Sequence, residues 1–200
     1  MFKQMKSRLA GKKITLLMVA LLGLLSITAT AQTAPQGFEK GSIVLADGST
    51  LAGWVKNEMA NKASVTVMPE TGGKKKRYDA YNLTSVSLNG QQFRCIKGDF
   101  FKVICAGDID FLQKGSDCTG KMVYNGADAI YLSGTEGKLG NYFMYTAKTD
   151  ALQLVTDKNL TAVTQQHFAS CAAAINKAKE TGADIAKLKE AVDIYNNRNK

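Results

Sequence analysis

The stretch Gly41–Val55 constrains the fold most strongly, because it combines two short apolar runs with a tight-turn signal. The runs are Ile43–Ala46 and Leu51–Val55, and Asp47-Gly48 lies between them. An Asp-Gly pair tolerates the positive φ that a tight hairpin turn requires. The stretch therefore predicts an opening β-hairpin, and with it a domain built from antiparallel strands.

Residues 41–88 continue this hairpin as a compact β unit. Ala63–Met68 and Leu83–Leu88 alternate between apolar and polar residues, as half-buried strands do. Pro69–Gly73 predicts a turn between them. The order of hairpin, strand, turn, bend and strand resembles small SH3-like or Sm-like barrels over about a quarter of the chain. The resemblance implies that this unit can close as a small barrel, but folds of this kind imply no particular activity.

Residues 89–156 predict a second β unit. Short apolar runs are separated there by turn signals, the clearest of which are Asn89-Gly90 and Asn125-Gly126. The connections between the runs are too short for parallel crossovers, so neighbouring strands must be antiparallel. We therefore expect a meander of short strands in this part of the chain.

Residues 157–200 change to a helical period. Apolar residues recur every three or four positions, which is the spacing of one buried helix face. Gly182 can end a helix in the left-handed conformation, and Asp184 can cap the next helix. The sequence thus predicts the α+β class: an antiparallel β-rich domain of short hairpins, with a small barrel as one form of its first part, followed by two C-terminal helices. Residues 41–200 are expected to pack as one unit.

The first 31 residues have the organisation of a signal peptide. Five basic residues and no acidic residue precede an apolar run over 14–27. Small residues at 29–31 then match a signal-peptidase site. A transmembrane anchor is the alternative, but the run is shorter than the about 20 residues that a span needs. Cleavage would leave Gln32 first, which is not the cysteine of a lipid anchor. We therefore expect export to the periplasm or the medium, a flexible lead-in at 32–40, and no transmembrane segment in the mature protein.

The positive charge of the mature chain is small. The whole chain carries 26 basic and 17 acidic residues, for a net charge of +9. Removing the five basic residues of the predicted signal peptide leaves 21 basic residues and a surplus of four. That surplus equals the single run Lys74-Lys75-Lys76-Arg77. The charge therefore gives no support to nucleic-acid binding, and we expect no nucleic-acid partner.

This basic run is the candidate site for an anionic ligand. Lys74, Lys75, Lys76 and Arg77 could hold an anionic surface, a polysaccharide or a lipid headgroup. The preferred interpretation is a solvated loop that keeps an edge strand from pairing with neighbouring molecules.

The four cysteines permit disulfide bonds if the protein is exported. They allow three complete pairings, which the sequence does not rank. Cys95, Cys105 and Cys118 lie within 24 residues of one another and are the candidate disulfide cysteines. Cys171 falls on a predicted helix and is the odd one out.

His167 and Cys171 form the candidate thiol or metal pair. Four residues apart on one predicted helix, they would share a face, and this spacing suits two metal ligands or a thiol beside a base. Against this, His167 is the only histidine, and both residues lie on the apolar stripe. A structural role in the core is therefore preferred.

The common catalytic motifs are missing from the sequence. It contains neither a Walker phosphate-binding motif nor the G-x-S-x-G of a nucleophile elbow. Asp108 and Asp110 could hold a hard cation, but the sequence does not continue as a calcium loop, so turn formation is preferred. We therefore assign no catalytic, cofactor-binding or metal residue, and we do not expect an enzyme.

The mature chain also resembles a family of uncharacterised exported proteins from Bacteroidota-type bacteria. The motifs that carry the resemblance are Lys40–Leu45 with Asp47-Gly48, Gly53-Trp54-Val55, Gly107–Leu112 and the closing Leu188–Asn196. The resemblance implies an exported β-rich domain with C-terminal helices, and it supplies no activity or site.

These observations predict a non-enzymatic exported protein that binds a protein or glycan of the cell envelope. Two alternatives stay open. One is a metal- or thiol-dependent protein that uses His167 and Cys171, and the other is a protein that binds an anionic polymer through Lys74–Arg77.

Overall fold

The computed structural model describes residues 34–70, 72–117, 120–124, 126, 128–182 and 184–198. Residues 34–200 form one compact unit. The predicted signal peptide and Cys118 lie outside the described residues. Within the described ranges, none of the helices combines the length and the apolar character that crossing a membrane would require.

The chain folds mainly into β-strands. The strands are β1 (Glu39–Leu45), β2 (Thr50–Glu58), β3 (Ser64–Pro69), β4 (Lys76–Asp79), β5 (Leu83–Leu88), β6 (Gln91–Ile96), β7 (Asp99–Cys105), β8 (Asp110–Lys114), β9 (Lys121–Tyr124), β10 (Ala129–Leu132), β11 (Tyr142–Thr146) and β12 (Ala151–Val155). Ten of them form one antiparallel sheet in the order β12-β11-β8-β7-β6-β5-β1-β2-β3-β4. The strands β9 and β10 pair with each other in a separate two-stranded sheet, rather than continuing the predicted meander.

The predicted opening hairpin is confirmed as β1 and β2, whose register places Val44 opposite Thr50. Gly48 at the turn has a φ of 85°, which favours glycine. The Asp47 carboxylate accepts hydrogen bonds from the Ser49 backbone N–H at 2.8 Å and from the Ser49 hydroxyl at 2.6 Å. The local chemistry of this turn is therefore sufficient to specify it.

The first β unit does not close as a barrel. After β5, the turn at Asn89-Gly90 sends the chain back as β6, which pairs with β5 on the side away from β1. The position that a closing strand would need beside β5 is therefore taken, and β4 ends the sheet instead of returning to β5. The two predicted β units are parts of one open sheet.

The C-terminal part contains three α-helices rather than the expected two. Among the described residues, the α-helices are α1 (Met59–Lys62), α2 (Leu160–His167), α3 (Ala172–Lys179) and α4 (Leu188–Asn196). The predicted α+β class, with helices after the sheet, is confirmed. The apolar stripe that predicted a single helix breaks between α2 and α3, where the fully buried Phe168 packs against the Tyr195 ring, with ring centroids 5.3 Å apart. The stripe continues across the break because residues of both helices reach the same apolar cluster.

The sheet buries apolar side chains on both of its faces. On one face, β1–β5 and β7 contribute to a first cluster and the C-terminal helices cover a second. The opposite face carries a third cluster. Successive residues of a strand point to opposite faces, so Phe111 and Met144 join the helix-covered cluster, whereas their neighbours Leu112 and Phe143 join the third. The sheet is thus covered on both sides around β8 and β11.

A buried ion pair ties residues 135–137 to the sheet. The side chains of Asp99 and Lys114 are both 0% exposed, and Lys114 Nζ lies 3.3 Å from Asp99 Oδ2. The Lys114 ammonium also donates to the carbonyls of residues 135, 136 and 137 at 2.9, 3.2 and 3.0 Å. Asp99 accepts from the Ser116 hydroxyl at 2.8 Å and from the Thr135 N–H and hydroxyl at 2.9 and 2.6 Å. Both buried charges are therefore satisfied by protein groups.

Candidate functional site

The basic run predicted from the sequence lies at one edge of the ten-stranded sheet. Lys74 and Lys75 lead into β4, and Lys76 and Arg77 belong to it, with Arg77 opposite Thr66 of β3. All four basic side chains are exposed. The prediction of a loop was wrong for Lys76 and Arg77. A strand with a single buried apolar residue shows no clear alternation, so pairing with β3 decides its conformation.

Three of these four cations lack a carboxylate partner. In the part of the chain that the structure describes, Lys74, Lys75 and Lys76 form no ion pair, whereas Arg77 Nε lies 3.7 Å from Asp79 Oδ1. The remaining positive charge at this edge is therefore open to solvent and to an anionic ligand.

Two aromatic rings hold the ammonium groups at this edge. Lys75 Nζ lies 4.9 Å from the centroid of the Phe38 ring, and Lys76 Nζ lies 5.0 Å from that of the Tyr78 ring. Both distances suit cation–π attraction, which orients an ammonium group without neutralising its charge. The sequence showed no aromatic residue within the run, and Phe38, which is 37 residues from Lys75 in the chain, is brought to it only by the fold.

His167 and Cys171 do not share a helix. His167 is the last residue of α2, and Cys171 immediately precedes α3. His167 Nε2 lies 2.8 Å from Gln153 Oε1 of β12, and burial lowers the pKa of its imidazole. Cys171 packs at the margin of the helix-covered cluster. The helical spacing on which the metal or thiol interpretation depended is therefore absent.

Two of the candidate disulfide cysteines, Cys95 and Cys105, lie in neighbouring strands of the sheet. Cys95 and Cys105 are both free thiols, and burial raises the pKa of each to about 12. Cys95 of β6 lies opposite Phe100 of β7. Cys105 lies five residues beyond Phe100 along β7, which is a distance of roughly 16 Å at the rise of a β-strand. A disulfide requires Cα atoms within about 7 Å, so these two cysteines do not pair with each other in this fold. Pairings with Cys118 involve a residue outside the described chain and stay predictions.

The two aspartates that could have held a cation are instead bound to arginines. The Asp110 carboxylate is buried and forms an ion pair with Arg94. It also accepts a hydrogen bond from the Gly107 N–H at 3.0 Å. Asp108 lies 2.9 Å from the Arg198 guanidinium. Asp110 thus fulfils the predicted turn-forming role. Among the described residues, no group of three or more His, Cys, Asp and Glu side chains is arranged to hold a metal ion.

A cleft brings His167 and Asp108 to one site that the sequence did not predict. Its volume is about 320 Å³, and the turn before β8, the turn between β11 and β12, and the C-terminal ends of α2 and α4 line it. Lys148, Tyr195 and Arg198 contribute to the same walls. These residues come from segments far apart in the chain and match no spacing motif, so no sequence signal could have grouped them.

Comparison of this chain with protein-family models, with curated proteins and with solved structures finds no match. The resemblance to exported proteins of Bacteroidota-type bacteria therefore stays a prediction.

Proposed function

We propose that this protein is a non-enzymatic binding protein, exported to the cell envelope, that binds an anionic polymer through Lys74, Lys75, Lys76 and Arg77. We call these four residues the basic edge. The observation that carries the proposal is that three of the four cations have no carboxylate partner within the described chain, although they follow one another at the edge of a well-packed sheet. Export and the envelope location are supported by the signal-peptide pattern of the first 31 residues.

The linear form of the basic edge favours a polymer over a small molecule. Successive residues of an extended chain advance by about 3.3 Å, so the four cations occupy a strip of the edge on the order of 10 Å long, with Lys76 and Arg77 on opposite faces of β4. A polysaccharide with repeated carboxylate, phosphate or sulfate groups can contact such a strip at several points. Lysine ammonium groups are compact point charges that attract anions without demanding one planar geometry. The expected binding is therefore electrostatic, sensitive to salt and tolerant of the detailed structure of the polymer.

The competing interpretation is that the basic edge only protects the sheet. Charged residues, lysine above all, prevent an edge strand from pairing with a second molecule. The two roles lead to different results when the charges are removed. Loss of a protective edge leads to self-association, whereas loss of a binding edge abolishes retention by the polymer and leaves the oligomeric state of the protein unchanged.

The test is retention of the purified protein on immobilised polygalacturonate, compared between two four-alanine variants. The first variant replaces Lys74, Lys75, Lys76 and Arg77. The matched control replaces four exposed lysines that form no ion pair with a described residue, namely Lys97, Lys138, Lys158 and Lys179. Both variants lose four positive charges, so a general effect of net charge would weaken them equally. We expect the control to elute with the wild type, and the basic-edge variant to flow through in the same oligomeric state as the wild type. Equal elution of the two variants would contradict the proposal.

The export part of the proposal has its own test. When the full-length chain is expressed in a Gram-negative bacterium, the protein recovered from the periplasm or medium should begin at Gln32. Recovery of the uncleaved chain in the cytoplasm would contradict export and leave the binding test unaffected.

A further inference from the structure

The cleft lined by His167 and Arg198 has the properties of a small-molecule site that is separate from the basic edge. Its volume of about 320 Å³ lies at the lower end of the range for small-molecule pockets, roughly 300–1,000 Å³. The lining combines polar residues, among them Thr146, Thr149 and Gln166, with apolar surface from Ile109 and the Tyr195 ring. A few polar groups placed against apolar walls are typical of pockets that bind one ligand in one orientation.

Arg198 is held in place before any ligand binds. Its guanidinium lies 3.7 Å from the centroid of the Tyr195 ring. It donates to the Tyr195 carbonyl at 2.6 Å and to Asp108 at 2.9 Å. The side chain is 22% exposed, so part of it remains accessible. Because stacking and hydrogen bonds fix the guanidinium, a ligand that contacts it loses little additional side-chain entropy.

The wall beside Arg198 is also fixed. The Asn196 side chain accepts a hydrogen bond from the Ile109 N–H at 3.1 Å and donates one to the Ile109 carbonyl at 2.8 Å. A β-carbon on Gly107 would collide with the Asn196 side chain, so the turn before β8 is closely fitted to the end of α4. The helix and the turn therefore form one rigid side of the cleft.

The charges of the cleft favour an anion. The titratable groups in its lining are Asp108, Lys148, His167, Tyr195 and Arg198. Arg198 is paired with Asp108, whereas Lys148 forms no ion pair with any residue in the described ranges. With a neutral His167 imidazole, the charged groups of the lining sum to one positive charge. We propose that this cleft binds a small molecule with one anionic group, a carboxylate or a phosphate, held by Lys148 and Arg198 beside His167.

His167 provides a direct probe, because it is the only histidine in the chain. Its carbon-bound imidazole protons give a single pair of NMR signals at the wall of the cleft. The test titrates the purified protein with acetate and, separately, with inorganic phosphate, at constant ionic strength maintained with chloride. We expect at least one probe to shift these signals to saturation. The bound anion should also raise the pKa of His167, because a negative charge nearby favours the imidazolium form. Saturation by acetate alone indicates a carboxylate ligand, and saturation by phosphate alone indicates a phosphate ligand.

Two substitutions in the cleft and one outside it decide the outcome. Loss of a charge-assisted hydrogen bond in Lys148→Gln should weaken probe binding by about tenfold or more. The Arg198→Gln variant should weaken probe binding by a similar factor. Lys148 lies in an exposed turn, so its substitution tests the proposal even if Arg198→Gln unfolds the end of α4. The control Lys158→Gln removes an exposed lysine outside the lining and should leave the affinity unchanged. The proposal is overturned if neither probe saturates, or if saturation persists undiminished in Lys148→Gln.

Discussion

Lys114 is the residue whose surroundings depart most from those that its side chain prefers. Its ammonium is completely buried beside Asp99 and donates to three backbone carbonyls. Substitution by methionine would remove the ion pair between Lys114 and the buried Asp99 carboxylate, and it would leave the three carbonyls without this donor. Removing one partner of a buried ion pair typically costs about 3–5 kcal/mol. We therefore expect Lys114→Met to lower the free energy of unfolding in urea by about that amount.

The matched control for this prediction is Lys138→Met, which makes the same change at an exposed position. A surface substitution of this kind changes stability by about 0.5 kcal/mol or less. If Lys114→Met were no more destabilising than the control, the account of the buried network would be wrong.

His167 should make stability depend on pH. Burial lowers the pKa of this imidazole below its ordinary value of 6.5. As the pH falls through that value, the unfolded chain takes up the proton before the folded protein does, so acidification favours unfolding. Between about pH 7 and about pH 5, the wild type should therefore lose stability relative to His167→Gln. Urea unfolding of both proteins across this interval measures the effect, and a difference that stays constant or changes in favour of the wild type on acidification would contradict it.

Residue-scale features were predictable where their cause is local. The hairpin turn at Asp47-Gly48 and the left-handed Gly182 follow from neighbouring residues, and the structure confirms both. The ion pair between Asp108 and Arg198 joins residues 90 positions apart. No local pattern encodes such a partner, so the cleft that depends on it was missed.

At the scale of elements, the errors have two physical causes. The strand β4 was predicted as a basic run leading into a turn because its pattern is dominated by polar residues, and pairing with β3 overrides that pattern. The stripe from Leu160 to Ala178 predicted one helix because its apolar period is continuous. The helix ends at His167, and the buried Phe168 lies in the break that follows. The spacing of the apolar residues nevertheless continues across this break. Periodicity therefore identifies the face that packs on the sheet, but it does not reveal a turn between two helices that share this face.

The junction between α4 and the turn before β8 gives a prediction at this scale. The Asn196 side chain accepts a hydrogen bond from the backbone N–H of Ile109 and donates one to its carbonyl, and Ile109 is only 3% exposed. The Asn196→Ala variant leaves a buried N–H and a buried carbonyl without these partners, at a cost of about 1–3 kcal/mol. We expect faster amide exchange at Ile109 and a lower free energy of unfolding.

The neighbouring Asn197 supplies the control for this experiment. Its side chain is exposed and donates to the Asp193 carbonyl at 2.8 Å, within its own helix. Asn197→Ala should leave exchange at Ile109 unchanged. Similar exchange at Ile109 in the two variants would show that Asn196 does not fix the turn to the helix.

At the scale of the whole molecule, the sequence predicted the class and the succession of antiparallel strands followed by C-terminal helices, but not the extent of the sheet. Turn signals between short apolar runs indicate hairpins wherever they occur, and they gave the antiparallel arrangement. They carry no information on whether β5 pairs with β6 to extend the sheet or with β4 to close a barrel, because the outcome depends on which strand pairs with the second edge of β5. The resulting open sheet has β4 at one end, and the exposed lysines of the basic edge lie there.

The central claim is that these lysines bind an anionic polymer by charge. The most direct measurement is the dissociation constant for soluble polygalacturonate at increasing salt concentration, for the wild type and both four-alanine variants. The account predicts that the affinity of the wild type and of the matched control falls steeply with salt, because screening weakens attraction between exposed charges. The basic-edge variant should bind weakly at every salt concentration. An affinity of the wild type that does not depend on salt, or a basic-edge variant that matches the control throughout the series, would contradict the account.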